Sequence, residues 1–548
     1  MAIFESIPDT GVDQKYLARD IFLQEKFQDY YALLDQLASK GDLKQKLNGI
    51  YYTPYRLARI LVEDINISTD SLSKNFIDPC AGLGSFIFAY LDLLLERNEI
   101  TDLARFEKVL NHVFYCDIDK DAADHFQEIF ADYYKTFYNW QIKFPSKNVF
   151  IGDSLFQDYP DQAVGKSLTK HFKIEAFDYV FTNPPYLLIK KGQVSSSLAD
   201  IHITRLSNLL TGNKHFKYLA GVNNLYKLFV EQIIEYWAKD DATIGLLVPR
   251  GLLTDSQSQH LRRRILNQSK IGKIYDLPEN SDYFRSIGQA FSMFTLTKGS
   301  QSDNVEIYGC KYSELDLGAP ITQTSLKTFA NLSPSLALVP LQQDDLDFIS
   351  HLAELPRFKS YGKIKNLRGE LDLTLDKSFI IVNETNLQLI KGADIAHYEL
   401  KQTSAFVLES FKSKAKGFWS QQDRIACQQI SNQNQKRRLK WCHVPSGFIL
   451  GNSCNFVGLV DSDDIFDNNE IDLMYLLAVL NSDFMNHRFK LLSANNHVSN
   501  HEISEMPLAL PDIEIQRQIG VMATKLSEKY DDELFRKCEL ELRGIFGL

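Results

Sequence analysis

Between residues 75 and 278 the sequence alternates short apolar runs with stretches of helical periodicity. NFID, HVFYCD, NVFIGD, FDYVFT, TIGLLVP and KIYDLP have the length and composition of strands, while Ser85–Glu96, Ala122–Tyr134, Tyr226–Trp237 and Gln259–Leu266 carry apolar residues at helical spacing. Regular alternation predicts an α/β domain, a parallel sheet with helices on both faces. Ligands of such sheets bind beyond the carboxyl ends of the strands. A later run, AFSMFTLTK (Ala290–Lys298), supplies one more strand, and the polar GSQSDN after it places the end of the domain between about 300 and 345.

A chain of 548 residues exceeds what one core sustains, about 250–300 residues, so two domains are expected. With 44% hydrophobic and 24% charged residues and no low-complexity tract, disordered and fibrous classes are excluded. The expected division is a helical segment over 1–48, a catalytic domain over 49–320 and a mixed α+β domain over 321–548. In the first segment Phe22, Phe27, Tyr31, Leu34 and Leu37 suit one or two amphipathic helices lying over the catalytic domain. No apolar run approaches the roughly 20 residues needed to cross a bilayer, and MAIFESIPDTG lacks the features of a signal peptide, so a cytoplasmic location without membrane contact is expected. The seven cysteines stand singly, without metal-ligand spacing, so no metal site is expected.

A net charge of −10 argues against a protein that coats nucleic acid. The segment from Pro356 to Leu450 reverses the sign, with sixteen Lys and Arg against eight Asp and Glu, a local +8. Such a reversal is the footprint of a DNA-facing surface.

Four motifs stand at strand ends. In DPCAGLGSF (Asp78–Phe86), glycines at Gly82 and Gly84 let the backbone turn sharply from strand to helix and approach a ligand. In HVFYCDID, Asp117 is placed to accept hydrogen bonds from ribose hydroxyls, with Asp119 as the alternative. Asp153 in NVFIGDSLF can accept from the amino group of a bound adenine ring. FDYVFTNPPYLLIK sets Asn183, Pro184, Pro185 and Tyr186 directly after an apolar strand, where two prolines fix φ and remove two donors, so the carbonyls can face a ligand.

The ordered set YYTP (Tyr51–Pro54), DPCAGLGSF, CDID, GDS, TNPPY and NNLYKLFVE (Asn223–Glu231) resembles the gamma-class, TaqI-type N6-adenine DNA methyltransferases, over about residues 48–300. The resemblance implies a Rossmann-like fold, S-adenosylmethionine as cofactor and double-stranded DNA as substrate. It implies cofactor contacts from Tyr52, Thr53 and Pro54, from Asp78, Pro79, Ala81, Gly82 and Gly84, from Asp117 and Ile118, and from Asp153 and Asn183. It also implies a flipped adenine sandwiched between Tyr186 and a second aromatic, Phe284 or alternatively Tyr283. The second half is similar to the family's target-recognition region through YGKIKNLRGE, LIKGADIAHY, CQQI, ILGNS, LLAVLNS and MPLALP.

Within that half, Lys412, Lys414 and Lys416 beside Phe418 and Trp419, and Lys436, Arg437, Arg438 and Lys440 beside Trp441, interleave cations with aromatics as phosphate contacts and stacking require. LRRRIL (Leu261–Leu266) is expected to be a surface helix of the catalytic domain. The chemistry expected is direct methyl transfer to an extruded adenine, Asn183 and Pro184 accepting its two N6 hydrogens. A modification enzyme is the leading reading, with a separate cognate restriction endonuclease as a compatible partner. The alternatives are a methylation subunit active only in a larger complex, an enzyme methylating glutamine amides in proteins, and a DNA-binding module without catalysis.

Overall fold

The computed structural model describes residues 14–39, 53–67, 69–155, 167–189, 207, 210, 215–221, 223–277, 290–309, 320–332, 335–382, 387–403, 405–413, 415–432, 435–460, 470–493 and 497–548. The chain divides into two compact units, Met1–Pro340 and Leu341–Leu548.

In the first unit the apolar runs become β1 (Phe76–Asp78), β2 (Val113–Asp117), β3 (Val149–Ile151) and β4 (Phe177–Thr182). A short ribbon of β5 (Leu188–Ile189) and β6 (Asn223–Asn224) precedes β7 (Ala238–Pro249), β8 (Ser269–Leu277), β9 (Phe291–Lys298), β10 (Asn304–Gly309) and β11 (Thr322–Ser325). Apart from the ribbon, these strands form one sheet in the order β11-β10-β8-β9-β7-β4-β1-β2-β3. Strands β3, β2, β1, β4 and β7 run parallel to one another. Strand β9 runs antiparallel between β7 and β8, and β11 antiparallel to β10.

The sheet is therefore mixed rather than parallel throughout, which corrects the sequence expectation. No helical pattern separates β8 from β9, and an antiparallel return needs no helical crossover. Strands β10 and β11 extend the sheet beyond GSQSDN, where a domain end was open to expectation.

Strand order reverses at β1, with β2 and β3 to one side and β4 and β7 to the other, so the carboxyl ends of β1 and β4 flank a topological switch point. Every residue of β1 and β4 is buried, as expected of parallel strands covered on both faces.

The helix Ser85–Glu96 packs into this core with Asp92 fully buried among its apolar residues. One of its carboxylate oxygens, Oδ2, is satisfied there, while Oδ1 has no hydrogen-bond partner among the described residues. The hydroxyls of Tyr55 and Tyr133 donate to Oδ2 at 2.6 and 2.5 Å, and the Arg19 guanidinium lies 4.0 Å away. Arg19 belongs to a single long helix, Gln14–Ser39, which buries Phe22, Leu23, Phe27 and Tyr30 as part of the first unit.

The LRRRIL helix departs from its expected surface role. Arg262 is fully buried and donates to the carbonyls of Leu252, Asp255, Ser335 and Leu336. A buried guanidinium is tolerated only when its donors are taken up in this way.

The second unit contains two four-stranded sheets. One is antiparallel, from β12 (Ile364–Arg368), β16 (Arg424–Gln428), β17 (Trp441–Val444) and β19 (Cys454–Leu459) in the order β12-β19-β16-β17. The other joins β13 (Ile380–Ile381), β15 (Phe406–Val407), β14 (Gln388–Ile390) and β18 (Phe448–Leu450) in that spatial order. Helices Leu473–Asn481, Ile513–Glu528 and Asp532–Phe546 contribute to a core with Trp441, Tyr475 and Phe484. The unit is thus mixed α+β.

Candidate active site

All four strand-end motifs lie on the carboxyl edge of the first unit's sheet. After β1 the chain turns through Gly82 and Gly84 at φ 51° and 84°, and Gly84 immediately precedes the helix Ser85–Glu96. The left-handed φ at Gly84 disfavours any side chain, and a Cβ there would sit 2.4 Å from the Phe126 ring. The turn is also tied to its neighbours: the Tyr115 hydroxyl donates to the Gly82 carbonyl at 2.7 Å and the Ala81 amide to the Cys116 carbonyl at 2.8 Å.

Asp117, at the end of β2, is half-buried and faces this turn. Its two oxygens accept from the Gly82 amide at 2.7 Å and the Asp119 amide at 2.8 Å. Burial pushes its pKa up to about 6, against the pull of those amides. Asp119 has a different task. It caps the helix Lys120–Tyr138 through the Asp121 amide at 3.0 Å and accepts from the Tyr30 hydroxyl at 3.3 Å.

Asp78 is 1% exposed, turned onto the Cys80 amide at 3.1 Å, and burial raises its carboxyl to about 8. Its carboxyl braces the turn through the Cys80 amide. At the end of β3 the Gly152 amide donates to the Asp117 carbonyl at 2.8 Å, and Asp153 accepts from the Leu155 amide at 3.0 Å. The Ser154 hydroxyl donates to the Pro79 carbonyl at 3.4 Å. Upstream, the buried Thr53 carbonyl accepts from the Ser85 hydroxyl at 2.5 Å, and Pro54 opens the helix Tyr55–Val62. Tyr52 lies outside the described residues.

These groups fit a nucleoside-bearing cofactor. The turn presents backbone without side chains, the Asp117 carboxylate supplies an acceptor, and Ile118 beside it is 47% exposed, an apolar surface at a strand end that a flat ring can cover.

Asn183 and Pro184 follow β4 and are buried, while Tyr186 is half-buried. The Tyr186 hydroxyl bonds to Asn183 Oδ1 and lies 3.1 Å from the Leu247 carbonyl of β7. Its ring sits 5.2 Å from that of Phe291 and 6.2 Å, edge-on, from Tyr226. Tyr226 arrives through the β5–β6 ribbon, whose pairing of Leu188 with Asn224 joins the segment after Tyr186 to NNLYKLFVE. Sequence reasoning missed the Leu247 carbonyl, because a main-chain acceptor carries no residue-type signal. Phe284 and Tyr283 lie outside the described residues.

In the second unit the expected DNA-contacting cations separate. Lys412 is exposed and pairs with Glu409 at 3.1 Å, and Lys436 is exposed. Arg437 donates to the Asn481 carbonyl at 2.7 Å, pairs with Asp483 and lies over the Phe535 ring, and Lys440 is half-buried. Arg438 is corrected: it is 1% exposed, donates to the carbonyls of Ser493 and Ser431, and lies 4.8 Å over the Phe489 ring. Its guanidinium is used inside the unit and cannot reach a phosphate. Lys414 and the side chain of Lys416 lie outside the described residues.

Two family models match the chain: the Eco57I restriction-modification methylase over residues 86–284 and the TaqI-like C-terminal specificity domain over 387–508. No curated protein matches it. Among solved structures it is similar to the Type IIL restriction-modification enzyme MmeI in complex with DNA (14% identity, TM-score 0.52, 90% of this chain and 74% of that one). It is similar also to a nuclease-deletion mutant of the Type ISP restriction-modification enzyme LlaGI with a DNA substrate mimic (13% identity, TM-score 0.53, 93% of this chain and 49% of that one). A modification subunit of a putative type I restriction enzyme from Vibrio vulnificus matches at 15% identity and TM-score 0.38, over 62% of this chain and 66% of that one. The chain thus spans about half to three quarters of these relatives. Methylases of the matched family draw their methyl group from S-adenosylmethionine. The chain thus carries an Eco57I-type restriction-modification methylase domain followed by a TaqI-like C-terminal specificity domain.

Proposed function

We propose that the chain transfers a methyl group to N6 of an adenine flipped out of double-stranded DNA, as the modification enzyme of a restriction-modification or related defence system, or as a methylase acting alone. The observation that carries this reading is the position of Asn183-Pro184-Pro185-Tyr186 at the carboxyl end of β4, across the switch point from the Gly82–Gly84 turn. Among the described residues the Pro184 carbonyl receives no hydrogen bond, so it is available to a ligand.

S-adenosylmethionine, bound, supplies an electrophilic methyl group. Asp117 would hold its ribose, Ile118 would cover its adenine ring, and Asp153 would accept from that ring's amino group. The rest of the chemistry concerns the target base. Its N6 lone pair is conjugated into the ring and is a poor nucleophile. Hydrogen bonds from the two N6 hydrogens to Asn183 Oδ1 and the Pro184 carbonyl favour a tetrahedral nitrogen whose lone pair is free to attack. The lone pair would form the new N–C bond as the methyl group's bond to the sulfonium sulfur breaks, its electron pair staying on sulfur in S-adenosylhomocysteine, and one N6 proton then leaves to solvent. No side-chain base of matched pKa is required.

Extrusion of the base costs a few kcal/mol, which stacking on Tyr186 helps to offset. The Tyr186 hydroxyl occupies Asn183 Oδ1 before the base arrives and can keep the Leu247 carbonyl when displaced. The presence of a specificity domain in the same chain supports activity without a separate recognition subunit. Asn183→Ala tests the reading: it should abolish transfer while leaving cofactor affinity within a few-fold, and normal turnover would contradict it.

A further inference from the structure

Four of the phrases that resemble a target-recognition region meet at one place. Gly369 of NLRGE packs so closely on the segment Leu450–Gly451 that a Cβ would lie 2.1 Å from the Gly451 carbonyl oxygen, and a Cβ on Gly392 would lie 2.7 Å from that of Ser453. Only residues without side chains allow this approach. Hydrogen bonds lock the junction: the Gly369 amide donates to the Cys454 carbonyl at 2.9 Å, the Asn452 amide to the Leu371 carbonyl at 2.7 Å, and the Gln429 amide to the Ser453 carbonyl at 2.8 Å.

On this junction stands Arg368, the last residue of β12, with an exposed side chain. Its Nε donates to the Asn452 carbonyl at 2.7 Å and its Nη2 to Gln429 Oε1 at 3.1 Å. Those two donors form the lateral edge of the guanidinium. Both hydrogens of Nη1 and the second of Nη2 are left, and they include the parallel pair at its tip. Among the described residues no carboxylate forms an ion pair with it, and Asp372 is the carboxylate that feels its charge at longer range.

We infer that Arg368 reads a guanine in the major groove of the target DNA, its terminal fork donating to O6 and N7, with Gln429 and the Asn452 carbonyl holding the guanidinium in the reading orientation. The inference rests on the proposed action on DNA and adds the residue and the base.

Three observations favour a base over a phosphate. The arginine is fixed before binding, which lowers the entropic cost of a contact with strict geometry. The end-on fork matches the two acceptors of guanine. Ile430, next to Gln429, is 63% exposed, and an exposed apolar side chain suits the edges of bases rather than the charged backbone.

The test selects duplexes bound by the full-length chain from a random pool, so that it does not depend on methylation. The wild type should select a word with guanine at one position. Arg368→Ala and Arg368→Lys should both lose discrimination at that position by about 10-fold or more, the scale of one bidentate base contact, and leave the others intact. Gln429→Ala should relax the same position partially. Melting curves check that each variant is folded, which exposure of the Arg368 side chain favours. A word unchanged in Arg368→Ala overturns the inference, as does a wild type that selects no word. A uniform loss of binding that Arg368→Lys restores makes the residue a phosphate contact and overturns it too. If selection succeeds while no adenine is methylated, the catalytic reading fails and the assignment of Arg368 stands.

Discussion

The hydroxyl of Tyr186 bonds to Oδ1 of Asn183, three residues earlier on the same loop, and the ring and amide of the proposed target pocket therefore hold each other in place before a base arrives. The two residues have separable roles. Asn183→Ala removes an acceptor for a developing charge and should lower kcat by 10²-fold or more. Tyr186→Ala removes a stacking surface and should cost roughly 1–3 kcal/mol in kcat/KM. Tyr186→Phe keeps the ring and should fall only a few-fold. Steady-state kinetics on a methylatable duplex order the three, and a Tyr186→Phe loss as large as that of Tyr186→Ala would assign the hydroxyl the larger part.

Asp117, proposed to hold the cofactor ribose, should make cofactor affinity depend on pH. With a pKa near 6 in the free protein, the carboxylate is ionised and able to accept from ribose hydroxyls at neutral pH. Affinity should be flat above pH 6 and fall as pH drops through 6, by at most tenfold per unit. The ligand-free protein should respond in the opposite sense: the folded value lies above the unfolded one of about 3.9, so deprotonation between pH 4 and 6 costs stability. Asp117→Asn should bind the cofactor more weakly and with no inflection near pH 6, as calorimetry across pH 5–8 would establish.

Arg438 should report on stability rather than on DNA. Arg438→Ala leaves the Ser493 and Ser431 carbonyls without their donor and opens a gap over Phe489. It should destabilise the second unit by about 2–4 kcal/mol. Lys436→Ala, at an exposed position, should change stability by less than about 0.5 kcal/mol. Denaturant titration separates them.

Lys436 and Lys440 remain the proposed phosphate contacts of the basic cluster. Converting both to Gln should lower the slope of log binding constant against log salt by up to about two units, nearly one per lost phosphate contact, without changing cofactor affinity. An unchanged slope places the phosphate contacts elsewhere, first at Lys412.

The contrast between the two units marks what a sequence carries. Strands β1 and β4 were legible because a parallel strand buried on both faces must be an unbroken apolar run, and the motifs after them because glycine and proline leave a residue-type trace of backbone geometry. The direction of β9 was not, since FSMFTLTK suits either orientation and only its neighbours β7 and β8 fix it. Arg262 and Arg438 look like any surface cation in a charge run. Their burial depends on carbonyls 73 and 55 residues away, at Ser335 and Ser493, a relation that no local pattern records. The same reason hid Arg368: its orientation comes from Gln429 and Asn452, 61 and 84 residues further on.

The central claim is chemical, that the acceptor is the exocyclic nitrogen of adenine in DNA. Incubating the purified chain with S-adenosylmethionine carrying an isotopically labelled methyl group and a mixed-sequence duplex, digesting to nucleosides and resolving the labelled product by mass spectrometry tests it most directly. The account predicts label in N6-methyladenine alone, absent with Asn183→Ala. Label in a methylated cytosine, or in protein with none in DNA, would contradict it.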